Sequence, residues 1–221
     1  MNYLNLPLLN NEELKILKRD LLTKDELWED GRKTAGTHAS QVKNNLQLNR
    51  NSEISKKFTN LITKKILSIP LIKSFCLPKS IHGMMFTRSS KNMKYGLHVD
   101  NAFMSTGRAD LSFTIFLSQK DEYEGGELLI QTMNSESKFK FNIGEIVIYP
   151  STYLHSVTEV LHGERLVCVG WIESYIKSSE KREYLFDLDA GAKSLLAKHG
   201  RSSELDLIFK SYSNLLRVLG D

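Results

Sequence analysis

Two hydrophobic periods alternate along the chain, and they divide it into three stretches. Leu14, Leu17 and Leu21 recur at helical spacing, and Asn10 stands before them with Glu13 three residues later. That is the signature of a capped amphipathic helix over 11–22, preceded by a short apolar strand or loop at Tyr3-Leu4-Asn5-Leu6. Trp28, Gly31 and Gly36 lie among polar residues and predict a loop or hairpin, with His38 at its surface. The polar run Gln41–Asn51 holds Val42, Leu46 and Leu48 as its apolar residues. Its Asn44, Asn45 and Gln47 are able to cap turns or to meet a substrate at the mouth of a site. Ser52 caps a second helix carrying Ile54, Phe58, Leu61, Ile62 and Ile66 inward, and Pro70 marks its end.

From Ser80 the period falls to two. Leu111, Phe113, Ile115 and Leu117 alternate with smaller or polar residues, as do Ile146 and Ile148. Gly125-Gly126 and Gly144 supply turns. The pattern predicts strands around 80–88, 96–103, 109–118, 126–132, 137–142, 145–149, 154–160 and 164–172. Beyond residue 178 helical spacing returns. One stripe runs through Leu185, Leu188, Leu195 and Leu196 to Gly200, and another from Leu205 through Ile208, Phe209, Tyr212, Leu215 and Leu216 to Gly220. The expected fold is mainly β with flanking helices (α+β), built on a double-stranded β-helix, the cupin-like jelly roll. A helical segment over 1–79 packs on a jelly-roll core over 80–175, and 176–221 forms a helical extension, in one structural unit.

Against that background one triplet carries chemistry. In an extended strand His98 and Asp100 project to the same side while Val99 turns away into packing. They offer an imidazole and a carboxylate to one point. The second and seventh strands of a jelly roll lie near one another, which brings His155 towards His98. Two histidines and one carboxylate leave open positions on a metal, the preference of non-haem Fe(II) oxygenases. Arg165 opens the last strand, in phase with Val167, Val169 and Trp171, and its guanidinium fork suits a carboxylate-bearing co-substrate. His82 has no partner near it in sequence, and His162, beside Gly163, reads as a turn residue. Gly125-Gly126-Glu127 lacks the lysine and helix of a phosphate loop.

Composition narrows the classes. Hydrophobic residues make up 41% of 221 and charged residues 25%, which is ordinary for a globular chain. The net charge of +4 is scattered in short pairs such as Lys56-Lys57 and Lys64-Lys65, with no basic stripe interleaved with aromatics, so no nucleic-acid partner is expected. No apolar run approaches the ~20 residues of a membrane span, and the N-terminus lacks a secretory pattern. Cys76 and Cys168 stand alone and read as buried thiols of a reducing compartment, so a cytoplasmic location is expected.

The residues also carry a resemblance. Asp30-Gly31-Arg32, Thr34-Ala35-Gly36, Gln41-Val42-Lys43-Asn44-Asn45-Leu46-Gln47-Leu48 and Tyr95-Gly96-Leu97-His98-Val99-Asp100-Asn101-Ala102 resemble blocks of the PKHD-type hydroxylases. So do Asp110-Leu111-Ser112, Tyr123-Glu124-Gly125-Gly126-Glu127-Leu128, Tyr149-Pro150-Ser151-Thr152 and Arg182–Asp189. This is a bacterial branch of the Fe(II)- and 2-oxoglutarate-dependent dioxygenases related to prolyl and lysyl hydroxylases. The resemblance implies His98, Asp100 and His155 as iron ligands, Arg165 as the 2-oxoglutarate anchor, and ascorbate as the reductant that keeps iron ferrous. It implies hydroxylation of a C–H bond in a peptidyl or small-molecule substrate, with release of succinate and CO2. Relatives often place a tyrosine after the arginine corresponding to Arg88; here Ser89-Ser90 follow, and Tyr95 is the nearby phenol.

Two other readings use the same residues. A non-catalytic cupin-like metal-binding or sensor module binds iron without forming succinate. An interaction protein keeps the histidines as core hydrogen-bonders and takes up no metal. A carboxylate clamp in phase with the ligands favours the enzyme over both. A homodimer through the C-terminal helices is compatible with all three.

Overall fold

The strand Leu111–Phe116 is buried on both faces, and its alternation separates two interiors. Leu111, Phe113 and Ile115 point to a helix-covered core, while Phe116 joins a second cluster facing the other way. In the computed structural model, which describes residues 3–34, 36–132 and 135–221, this strand lies inside a seven-stranded sheet.

The chain opens with β1 (Leu4–Pro7), α1 (Asn11–Leu22), β2 (Trp28–Asp30), α2 (Thr37–Ser40), β3 (Lys43–Asn44) and β4 (Leu46–Leu48). Helices α3 (Glu53–Ser68) and α4 (Pro70–Cys76) follow. Then come β5 (Pro78–Ser89), β6 (Lys94–His98), β7 (Phe103–Met104), β8 (Gly107–Arg108), β9 (Leu111–Phe116), β10 (Tyr123–Gly125), β11 (Leu128–Gln131) and β12 (Glu136–Phe139). The β region closes with β13 (Glu145–Pro150), β14 (Leu154–Val157), β15 (Val160–Gly163) and β16 (Arg165–Ser174). Helices α5 (Ser179–His199) and α6 (Ser203–Leu219) complete the chain.

The large sheet runs β1-β13-β9-β16-β5-β4-β2 and the smaller one β12-β11-β14-β6-β3. Their antiparallel pairing makes the expected double-stranded β-helix. Residues 3–79 add short strands to both sheets as well as the expected helices: β1 lies where a strand or loop is expected, while apolar spacing did not announce β2, β3 and β4.

On the outer face of the large sheet, α1, α3 and α4 bury Leu17, Phe58, Ile62 and Ile72 against Phe86, Ile115, Ile148 and Cys168. The capping box at Asn10 forms as expected: its side chain accepts from the Glu13 N–H and the Glu13 carboxylate accepts in return. Pro70 ends one helix by starting another, as the first residue of α4, where its missing N–H costs nothing. Between the sheets, Phe116, Leu128, Ile130, Val147, Tyr149 and Val167 pack as a second core.

Four expectations change. The strand expected over 96–103 ends at His98, so Asp100 sits just past it on a loop. Val99 is half exposed at the cavity mouth, not packed. His162 lies in β15, opposite Glu124, not in a turn. The apolar stripe read on α5 is also displaced. Arg182, Leu185, Asp189 and Ala192 are buried there while Leu195 and Leu196 face out, because Arg182 donates to the Ile176 and Lys177 carbonyls and Asp189 accepts from Ser74. The His38 side chain lies outside the described residues.

Candidate metal centre and co-substrate cavity

His98 ends β6 and His155 lies on β14, directly opposite it in the antiparallel ladder. Facing residues on neighbouring strands bring their side chains close, and the two rings lie 4.3 Å apart between centroids. Both are nearly buried, at 6% exposure. Each Nδ1 meets a backbone carbonyl: Gly96 O at 2.8 Å from His98 and Tyr153 O at 3.0 Å from His155. A carbonyl only accepts, so Nδ1 carries the proton in each ring. The Nε2 lone pairs are left free, the arrangement that orients histidines for a metal.

Asp100 completes the group. Its Oδ2 lies 3.7 Å from His155 Nε2, too far for a hydrogen bond. One atom from each of the three side chains falls within 4.8 Å of the others. The Ser112 hydroxyl donates to Asp100 Oδ2 at 2.6 Å, and Ser112 and Ser151 hydroxyls are 2.7 Å apart. This chain of hydroxyls fixes a carboxylate that no strand holds. Burial first, then the neighbouring His155, pulls the His98 pKa down to about 4. The ring is therefore neutral near pH 7 and available as a ligand.

An unfolded His98 takes up a proton below about 6.5, whereas the folded ring does so only near 4. Protonation then favours unfolding within this window, so the stability contribution is full above 6.5 and is lost as pH falls. The urea midpoint of the metal-free chain is expected to drop from pH 6.5 to 4 more steeply than that of His98→Gln. Equal slopes would show that this ring does not carry the effect.

The donors line a cavity of about 460 Å³ between the sheets, within the range of small-molecule sites. Arg165, at the start of β16, is 3% exposed on its wall. Burial lowers its pKa below the usual arginine value. Among the described residues no carboxylate oxygen lies within 4.0 Å of it, and its Nε has no hydrogen-bond partner. Such a cation is costly unless something anionic joins it. Gly126, at φ +66°, makes its position possible: a Cβ there would stand 2.9 Å from Arg165 Cδ. Gly126→Ala is expected to cost at least about 1 kcal/mol from the left-handed backbone alone. It should also displace the guanidinium. Urea melts and a 2-oxoglutarate titration check both, and wild-type values would remove this role for Gly126.

Sequence reasoning missed several neighbours. Tyr149 shares the inward phase of β13 with Val147 and is buried beside Arg165. Tyr123, just before the Gly125-Gly126 turn, holds a buried hydroxyl beside Arg165. Counting strand phase from Ile146 and Ile148 would have found Tyr149; nothing in the local pattern flags Tyr123. Ser89 lines the cavity, while Arg88 points away to Asp25 and Glu164. Tyr95 stacks on His98 at 3.7 Å between ring centroids. His82 is engaged elsewhere, with Thr106 and the Arg108 carbonyl. Cys76 and Cys168 are free, buried thiols, with pKa values pushed up by burial.

Comparison with known proteins agrees with this geometry. Residues 84–173 match the profile of the 2OG-Fe(II) oxygenase superfamily. A PKHD-type hydroxylase of Prochlorococcus marinus strain AS9601 is 72% identical over 221 residues, covering 100% of both chains. Among solved structures, a Pseudomonas putida prolyl-4-hydroxylase superposes with a TM-score of 0.58 at 16% identity, over 78% of this chain and 92% of that one. A Trichoplax adhaerens prolyl hydroxylase, solved with a hypoxia inducible factor peptide fragment, gives 0.59 at 11% identity, over 83% and 86%. The two structures share the fold, and the 72% identical relative gives the family: the chain belongs to the PKHD-type hydroxylases of the 2OG-Fe(II) oxygenase superfamily.

Proposed function

We propose that His98, Asp100 and His155 hold ferrous iron, and that Arg165 grips the distal carboxylate of 2-oxoglutarate. The observation that carries this is the convergence of two free Nε2 atoms and one carboxylate in a cavity whose wall holds a buried guanidinium with, among the described residues, no carboxylate within 4.0 Å. The donor set fits Fe(II), since two imidazoles and a carboxylate leave positions for further ligands. When bound, the iron supplies with 2-oxoglutarate and O2 an oxidant that converts C–H to C–OH, the co-substrate leaving as succinate and CO2. The protein's share is positional. The hydroxyls of Ser112 and Ser151 hold the Asp100 carboxylate, and the Gly96 and Tyr153 carbonyls hold the imidazoles. The rings of Tyr95 and Tyr149 pack against the two imidazoles and keep water from them. Tyr123 and Tyr149 are phenols placed to share the carboxylate that Arg165 binds.

The substrate is a peptide or small molecule, and ascorbate serves as the external reductant. The free buried thiols fit a cytoplasmic site of action. Among the described residues no helix is long and apolar enough to cross a membrane. A homodimer through α6 would cover Leu207, Leu215 and Val218, which are exposed. The function is tested anaerobically and then with O2. Fe(II) plus 2-oxoglutarate should give a visible charge-transfer band, and O2 should then yield succinate. Metal uptake with no succinate under any substrate would favour a sensor over an enzyme.

A further inference from the structure

The polar run Gln41–Asn51 brings two more cations into the cavity. Lys43, on β3 beside β6, is 5% exposed, and its ammonium lies 5.1 Å over the Tyr95 ring that stacks on His98. Its hydrogen bond to Thr34 Oγ1 is long, at 3.3 Å. Arg50 lines the same mouth. Among the described residues, no carboxylate oxygen comes within 4.0 Å of either cation. Lys33, at the same rim, shows the contrast: Glu29 neutralises it at 2.9 Å. Burial draws Lys43 down to about 8, so it is held at a cost that a bound anion would offset, and the more exposed Arg50 is lowered in the same direction.

Charge counting locates that anion. With the proposed iron and co-substrate in place, Asp100 leaves the metal at one net positive charge, Arg165 adds one, and the 2-oxoglutarate dianion cancels both. Lys43 and Arg50 remain uncompensated. We propose that Lys43 and Arg50 form an anion subsite at the cavity mouth that receives a carboxylate of the substrate, so that the enzyme selects acids over neutral molecules. This rests on the iron and 2-oxoglutarate reading above. It gives the Gln41–Asn51 segment its function: Lys43 and Arg50 determine specificity and leave the co-substrate to Arg165.

The test is binding, without turnover, to the Zn(II)-loaded chain saturated with 2-oxoglutarate. The probes are N-acetyl amino acids paired with their primary amides, and acetylated peptide amides carrying Glu or Gln at one position. The first pair presents a free small acid and the second a peptide side chain. In at least one pair the acid is expected to bind about tenfold or more tighter than its neutral partner, as a charge-assisted contact gives. Lys43→Met and Arg50→Gln should each bring that ratio towards one, and Lys43→Arg should keep it. The 2-oxoglutarate dissociation constant should stay within about twofold throughout. Acids and amides binding alike across the panel would overturn the proposal. So would a preference that survives both substitutions, or a loss of 2-oxoglutarate affinity in place of acid preference. Arg50→Gln keeps the test decisive if Lys43→Met does not fold, since Arg50 is exposed. Failure of the wild type to bind 2-oxoglutarate would strike the functional reading instead, and the acid-to-amide ratio would then judge the subsite by itself.

Discussion

Asp100→Ala is expected to lose iron binding and turnover together. Asp100 is the single carboxylate in the group of three, and without it two neutral imidazoles face a dication with no charge to offset it. The loss should exceed the ~10–100-fold that removal of an outer-shell partner costs. Ser112→Ala supplies that milder case, because Ser112 only orients Asp100 through the 2.6 Å hydrogen bond. The two variants are compared by equilibrium dialysis against Fe(II) and by 2-oxoglutarate consumption. Graded loss, about 10–100-fold for Ser112 and near complete for Asp100, is the expected outcome. An Asp100→Ala protein that still consumes 2-oxoglutarate would remove the carboxylate from the centre.

Arg165→Lys should raise the KM for 2-oxoglutarate by roughly ten- to a hundredfold while changing kcat less. A buried fork makes two parallel charge-assisted contacts, and an ammonium at the end of a shorter side chain makes one at best. Arg165→Met separates binding from stability. Since among the described residues no carboxylate lies within 4.0 Å of the guanidinium, its removal takes away a buried charge that no ion pair offsets, and the ligand-free variant should be as stable as the wild type or more so. The wild type alone should then gain Tm with 2-oxoglutarate, following the mass-action relation for a ligand that binds only the folded state. Unchanged KM in Arg165→Lys, together with equal ligand-induced Tm shifts in wild type and Arg165→Met, would assign the carboxylate to another group.

The strands were legible because their alternation is strict where both faces are buried. Leu111, Phe113 and Ile115 face the helices, and the intervening Ser112 and Thr114 line the cavity. Leu166, Cys168 and Ile172 likewise mark one face of β16, so Arg165, Val169 and Trp171 belong to the other. The pairing of His98 with His155 follows from jelly-roll strand order, and the structure places them as direct partners. Asp100 shows the limit of that reasoning. Strand geometry puts residues two apart on one face, yet β6 stops at His98, and hydroxyls from β9 and from the segment after β13 hold the carboxylate. Period could not reveal a contact made across sheets. The run at 3–6 suggested β1 as a strand or loop, but its sheet partner and the strands β2 to β4 were hidden for a related reason. Two to four residues carry too little alternation to register, and their pairing is dictated by neighbours remote in sequence, as Leu4 with Ile148 and Lys43 with Tyr95. Lys43 looked like one polar residue among many until the fold turned it inward.

The central claim is that three side chains share one ion. Crystals grown anaerobically with Fe(II) and measured at the iron edge test it directly. One anomalous peak is expected at about 2.0–2.2 Å from His98 Nε2, His155 Nε2 and an Asp100 carboxylate oxygen. A peak bound elsewhere, or touching only one of the three, would contradict it.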